Sequence, residues 1–321
     1  MQTLKILMLG ASKRLSLARL LKRSANVLGF HADLFSYETS KLGAISSEAT
    51  TIIGRDFRDP RVLNEVQDVI LDKRIDLCLA FNDKALPLMP AIGEITFAPA
   101  CSEDLIRIFG SKSQTKVFMD KLGVPTIENT HEVPCIVKPD NGSASSGVRR
   151  FLVQSELDEF LALNEGRSFI TQKYLSGPEF SLDCYRAVNS EITLALPRER
   201  VIVSGGEVTV SNVVQSDELV SLTSKILSLD GVYGPLNIQF MWDADRSVHA
   251  LMEVNARFGG GASMTEIAGI PWTEILLRDL LRFPQAKEFN VRDGYIARAF
   301  EDVLISPDDE QATWSPVKSI H

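Results

Sequence analysis

The stretch Ile75-Asp76-Leu77-Cys78-Leu79-Ala80-Phe81 restricts the fold more than any other part of the chain. It is apolar at nearly every position, where a strand with one wet face would be apolar at every second. A strand of this kind is covered on both faces, as parallel strands are when helices sandwich them. The residues before it agree. Leu4–Leu9 reads as a strand and Gly10-Ala11-Ser12 as the turn out of it. Leu17, Leu20, Leu21 and Leu28 form the stripe of a helix that Gly29 stops. Ala32–Phe35 and Thr51–Ile53 read as strands, and Val62, Val66, Val69 and Ile70 as a second helix stripe. Strands alternate with helices, so an α/β unit with a doubly wound parallel sheet is expected over residues 1–102.

A chain of 321 residues has room for about two domains, or three small ones. Lys+Arg 34 against Asp+Glu 42 leaves a net charge of −8, which argues against nucleic acid as the main partner. The apolar runs are strand-sized, so no membrane span is expected. Met1–Lys5 leads straight into a strand without the layout of a signal peptide. Cys78, Cys101, Cys135 and Cys184 show no CxxC spacing, and His31, His131, His249 and His321 no metal spacing. Buried thiols in a reducing, cytoplasmic compartment fit best.

Gly10 stands alone, without the G-x-G-x-x-G pattern of a dinucleotide site. Ser12, Lys13 and Arg14 at one strand end, and Asn82 and Asp83 at another, are either a polar-substrate site or solvated loop residues. Ser113 is read as the cap of a helix through Val117, Phe118 and Leu122, with Lys112 just before it. Cys135–Pro139 is a short strand with Lys138 at its end. It runs into Asp140-Asn141-Gly142-Ser143-Ala144-Ser145-Ser146-Gly147, which is either a mobile turn or a flap offering N–H groups and hydroxyls to phosphates. Phe169–Leu175 reads as a strand and Glu179–Tyr185 as a half-buried one, with Glu179 placed to accept from ribose hydroxyls.

Gly234–Trp242 alternates, turns at Asp243–Arg246, and returns as Val248–Val254. Glu253, Asn255 and Arg257 project from one face, and Gln239 can join them from the neighbouring strand. Oxygen donors of this kind suit Mg²⁺ sharing its shell with phosphate. Arg257 adds a planar cation for a transferring phosphoryl group. Gly259-Gly260-Gly261 permits close approach of the backbone. Arg198 and Arg200 are either a carboxylate clamp or surface arginines.

Together these stretches resemble the ATP-grasp superfamily, and within it the ATP-binding modules of carbamoyl-phosphate-synthase large subunits. The matching residues are Ser111-Lys112 with Lys121–Pro125, Ile136-Val137-Lys138-Pro139, Gln172–Leu175 with Glu179, and Asn237–Phe240 with Glu253–Arg257. The resemblance implies a Rossmann-like N-terminal domain over residues 1–102. It also implies a central lobe with the flap over 103–175, a C-terminal α+β lobe over 176–305 and a polar tail over 306–321. Lys112 and Lys138 then look like the phosphate-binding lysines, and Ser143, Ala144, Ser145, Ser146 and Gly147 like the flap. Gln172, Lys173 and Leu175 look like the adenine linker, and Glu179 like the ribose carboxylate. Gln239, Glu253 and Asn255 look like the metal ligands, with Lys138 and Arg257 acting in catalysis. The flap carries serines where many members have glycines, and Gln239 is neutral where many carry a carboxylate.

The implied reaction is phosphorylation of a small-molecule carboxylate by ATP, followed by attack of an amine on the acyl-phosphate. ATP and Mg²⁺ are the implied cofactors, with Mn²⁺ an acceptable substitute, and a homodimer is compatible with the family. Two other readings remain. One is a split synthase that phosphorylates bicarbonate or carbamate; the other is a nucleotide-binding regulator without turnover.

Overall fold

The computed structural model describes residues 1–142, 147–286, 288–299 and 301–305. Ser143, Ala144, Ser145 and Ser146 of the expected flap, and the expected tail, lie outside the described residues.

The N-terminal part alternates as expected: β1 (Gln2–Leu9), α1 (Leu15–Val27), β2 (Phe30–Glu38), β3 (Thr50–Ile53), α2 (Val62–Lys73), β4 (Leu77–Ala80) and the short α3 (Met89–Ile92). The strands pair in parallel in the order β3-β2-β1-β4. The near-continuous apolar run now has its cause. In β4, Cys78 and Ala80 enter one core while Leu77 and Leu79 enter another. In β1, Leu7 and Leu9 share the first core, and Leu4, Ile6 and Met8 the second. Val62, Val66 and Ile70 of α2 cover the first face, and Leu17, Leu21 and Ala25 of α1 the other. The sheet is therefore doubly wound, with its loops emptying at the carboxyl ends of the strands, where ligands of such sheets gather.

Next come α4 (Glu103–Phe109), α5 (Lys112–Lys121), β5 (Cys135–Pro139), β6 (Arg149–Phe151), α6 (Gln154–Leu163) and β7 (Phe169–Lys173). The strands form an antiparallel three-stranded sheet, β6-β5-β7. Its own core is small: Cys135, Val137, Phe151 and Leu157, backed by the rings of Phe160 and Phe169. The cap of α5 differs from expectation. Lys112 is its first residue, and Ser111, not Ser113, is the cap, its Oγ accepting from Gln114 N–H at 3.2 Å. Asp140 decides this. It accepts from Ser111 Oγ at 2.7 Å and from Ser113 N–H at 2.7 Å, tying the start of α5 to the end of β5.

The last part comprises β8 (Glu179–Arg186), β9 (Thr193–Ser204), β10 (Glu207–Val213), α7 (Asp217–Leu227), β11 (Gly234–Asp243), β12 (Val248–Asn255), α8 (Ala262–Ala268), α9 (Trp272–Leu281) and β13 (Gly294–Ala297). Its antiparallel sheet runs β12-β11-β8-β9-β10-β13. Leu182 of β8, Ile238 and Phe240 of β11 and Ile226 of α7 lie in the same core as Leu7 and Cys78. The parallel sheet and the six-stranded sheet are thus fused by shared apolar packing. All four cysteines are free, buried thiols.

Candidate active site

A polar cleft of about 520 Å³ lies where the three sheets meet. Its walls include Lys138 of β5, Glu179 of β8, Gln239 of β11, and Glu253 and Asn255 of β12, with Arg257 just beyond. Lys112, Gly142 and Val148 border it on the three-stranded side, and Lys13, Arg14 and Asp83 on the N-terminal side.

Period-2 geometry builds the floor. Asn237, Gln239 and Met241 of β11 face the cleft, while Leu236, Ile238 and Phe240 fill the core. The register sets Gln239 opposite Glu253 and Asn237 opposite Asn255. One extra residue, Met252, is bulged between the pairs Gln239–Glu253 and Phe240–Leu251, so Met252 and Glu253 both reach the cleft. The amide groups are oriented. Gln239 Nε2 donates to Asn237 Oδ1 at 3.1 Å, and Asn237 Nδ2 to buried Asp183 at 2.8 Å. Asn255 Nδ2 donates to Glu253 at 3.0 Å. The nitrogens of Gln239 and Asn255 are thus engaged, and Asn255 Oδ1 accepts from Arg257 Nη2 at 3.4 Å. Two amide oxygens and one carboxylate fit a hard cation that completes its shell from a ligand. Among the described residues no three His, Cys, Asp or Glu gather into a cage built of protein groups alone.

Lys138 is only 8% exposed. Burial pushes its ammonium below the usual lysine range, against the pull of Glu253 and with Lys112 adding repulsion. Glu179 is raised by burial, while Arg200, 2.8 Å away, pulls it down. Lys112, at the border of the cleft, donates from its Nζ to the carbonyls of Pro139 at 3.1 Å and Gly142 at 2.9 Å, anchoring the start of the expected flap. Gly147, at the far end of that flap, has φ +75°.

Arg257 forms a two-pronged bond with Asp83, at 2.6 and 2.8 Å. Asp83 opens the 3₁₀ turn after β4 that Asn82 caps. Arg198 is no surface arginine; it is 1% exposed, its Nε donating to Asp183 at 2.9 Å. The Gly10-Ala11-Ser12 turn is internally satisfied, for Ala11 N–H donates to Glu38 at 2.6 Å. Burial raises the Glu38 carboxyl, and the hydrogen bonds from Ser36, Ala11 and Ser12 oppose it.

Each glycine of the triplet is demanded by space. A Cβ at Gly259 would overlap Asn237, one at Gly260 Glu207, and one at Gly261 Arg198.

Gln172, Lys173 and Leu175 do not line the cleft. Gln172 Nε2 donates to Ile127 O at 3.4 Å, Lys173 N–H to Glu128 O at 2.9 Å, and Lys173 Nζ to Asp245 at 2.6 Å. Leu175 packs with Ile127 and Ala250 behind Met241 and Met252, which do reach the cleft. Sequence reasoning missed Glu207 and Arg298. Glu207 bonds Arg14 at 3.2 Å and approaches Arg298 at 3.6 Å.

A small sheet and a large one closing on a cleft of lysine, carboxylate, amide and arginine groups is the arrangement of the ATP-grasp fold. The C-terminal half of the chain is similar to ATP-grasp proteins, and its fold is theirs. Residues 165–303 match the family described as "ATP-grasp in the biosynthetic pathway with Ter operon". The D-alanine–D-alanine ligase of Parabacteroides distasonis is 25% identical over 202 residues, 56% of this chain and 58% of that ligase's length. The N5-carboxyaminoimidazole synthetase of Staphylococcus aureus, solved with ADP, superposes with a TM-score of 0.72 at 16% identity, covering 91% of this chain and 81% of that one. The biotin carboxylase domain of the Hydrogenobacter thermophilus 2-oxoglutarate carboxylase, solved as a dimer with MgADP, ADP and bicarbonate, gives 0.69 at 17%, covering 91% and 73%.

Proposed function

We propose that this chain is an ADP-forming ligase that joins a small-molecule carboxylate to an amine through an acyl-phosphate. The observation carrying this reading is the convergence of Lys138, the Gln239/Glu253/Asn255 oxygens and Arg257 on one cleft from separate sheets. ATP lies with its base toward Met241 and Met252, backed by Leu175, and its ribose toward Glu179. Its phosphates lie beside Lys138, under the flap that Lys112 anchors. The superfamily match, and relatives bearing the names of ligases and synthetases, support the reading. The division at residues 102, 175 and 305 belongs to the same proposal.

Gln239, Glu253 and Asn255 would hold Mg²⁺, or Mn²⁺ in its place. When bound, the metal neutralises phosphate charge. A substrate carboxylate oxygen attacks the γ-phosphorus, and the bond to the β-phosphate oxygen breaks to release ADP. The amine then attacks the acyl carbon, loses a proton and expels phosphate. Lys138 and Arg257 oppose the charge that builds on the transferring group. A buried lysine does this strongly because little water screens it.

Mg²⁺-ATP is expected to raise the thermal midpoint, and GTP to raise it less. With the true carboxylate and hydroxylamine, one ADP is released per hydroxamate formed. Arg257→Ala suppresses hydroxamate more than it weakens ATP binding. ADP release that depends on bicarbonate, without an organic hydroxamate, would establish the split-synthase reading instead. Saturable ATP binding without ADP release would establish the regulator.

A further inference from the structure

Beyond Arg257 the cleft wall continues through Lys13, Arg14 and Glu207, which phosphoryl transfer does not use; Arg298 adjoins this wall by pairing with Glu207 and is not itself a lining residue. Three distant parts of the chain meet at Gly260. Arg14 comes from the turn before α1, Glu207 from the start of β10, and Arg298 from just after β13. Arg14 Nη1 is 3.2 Å from Glu207 Oε1, and Arg298 Nη1 is 3.6 Å from Oε2. The other end of the Arg298 guanidinium donates to Gly260 O. Lys13 stands on the same wall and adds its field to Glu207.

The local charge does not cancel. Two guanidiniums and an ammonium face one carboxylate, in a chain whose net charge is −8. The arginine side chains are 14% and 28% exposed, so water screens them only in part. Arg298 is held below its usual range by burial, and Glu207 opposes this while Arg14 and Arg198 add to it. Burial works to raise Glu207, and Arg14 and Arg298 outweigh it, so its carboxylate stays ionised. Cations crowded this way gain from an arriving anion, and guanidinium forks match the paired oxygens of carboxylate and phosphate. Gly260 follows Arg257 by three residues, a separation of at most about 11 Å along an extended chain. One short molecule can span both points.

We propose that Arg14 and Lys13, with Arg298 drawing on Glu207 beside them, bind a second oxyanion of the substrate, a carboxylate or phosphate carried in addition to the carboxylate that is phosphorylated. This deepens the ligase reading and rests on it for the reacting end only.

Calorimetry on the full chain tests it without turnover. The probes are matched pairs: succinate against butyrate, glutarate against valerate, and 3-phosphoglycerate against glycerate. At least one dianion is expected to bind tenfold or more tightly than its partner, and the pair that differs tells carboxylate from phosphate. Arg14→Gln and Arg298→Gln each erase most of the difference. Arg298→Lys keeps part of it, which loss through misfolding would not. Glu207→Gln widens it, because it removes the one opposing charge. The proposal is overturned if no dianion is preferred, if the preference survives both glutamine variants, or if Glu207→Gln narrows it. A dianion preference without any hydroxamate sinks the ligase reading and leaves the anion site standing.

Discussion

The two walls of the cleft are built on unequal foundations. The six-stranded sheet shares its packing with the parallel sheet, so Gln239, Glu253 and Asn255 stand on a body whose cores run from Leu7 to Leu251. The three-stranded sheet stands on Cys135, Val137, Phe151 and Leu157 and their ring neighbours. It is tied to the rest by polar links as well, such as Lys173 to Asp245 at 2.6 Å. Local opening is least costly where few apolar groups are buried. The wall carrying the oxygen ligands is therefore the stiff one. The wall carrying Lys138 is the one that opens at the lower cost.

If both walls serve one reaction, a change on either should cost a similar amount of turnover. Lys138→Met, which keeps the buried stem, and Glu253→Ala should each reduce kcat by about a hundredfold or more, on the scale of removing one transition-state charge contact. Denaturation should move by no more than about 1 kcal/mol. A variant that unfolds would mark its residue as a support of the wall rather than part of the chemistry.

Cavities probe the foundations directly. Phe151→Ala and Ile238→Ala should each cost about 3 kcal/mol, but in different places. Hydrogen exchange should quicken mainly in β5–β7 for Phe151→Ala, and in β1, β8 and β11 together for Ile238→Ala. Equal quickening everywhere would erase the distinction between the walls.

A pH-dependent effect belongs to the body alone. Glu266 of α8 is pushed from 4.5 up to about 7 by burial, against hydrogen bonds from Thr273. The folded state then holds a proton that the unfolded chain has released. This contribution is whole below about pH 4.5 and is lost as pH rises through about 7. The slope is at most about 1.4 kcal/mol per pH unit. Glu266→Gln should flatten the decline of the thermal midpoint between pH 5 and 7.5; an unchanged slope would assign that decline to other groups.

Period and punctuation made much of this molecule legible. β4 announced its two covered faces, and the β11–β12 hairpin announced which side chains share the cleft. The cap of α5 was misread because two serines two residues apart carry equal signals, and the deciding Asp140 lies 29 residues from Ser111. Arg198 and Arg200 were visible as charges, but not their partners Asp183 and Glu179, which come from the neighbouring strand. Arg257 was visible, yet its bond to Asp83 spans 174 residues, and that of Arg14 to Glu207 spans 193. Periodicity is a local signal, and pairing at such distances is set by how the sheets fuse.

The glycine triplet bears on inheritance as well as packing. Each of its three positions rests against a different neighbour, so each has its own natural suppressor. At Gly260 the obstacle is the far end of the Glu207 side chain, and shortening that residue makes room. At Gly259 the obstacle is Asn237, which is 3% exposed and bonded to Asp183, and at Gly261 it is the fully enclosed Arg198. Neither can yield without unpairing a buried charge or amide. Three adjacent codons for the same amino acid thus face unequal histories: one can drift when a second site drifts with it, and two are locked.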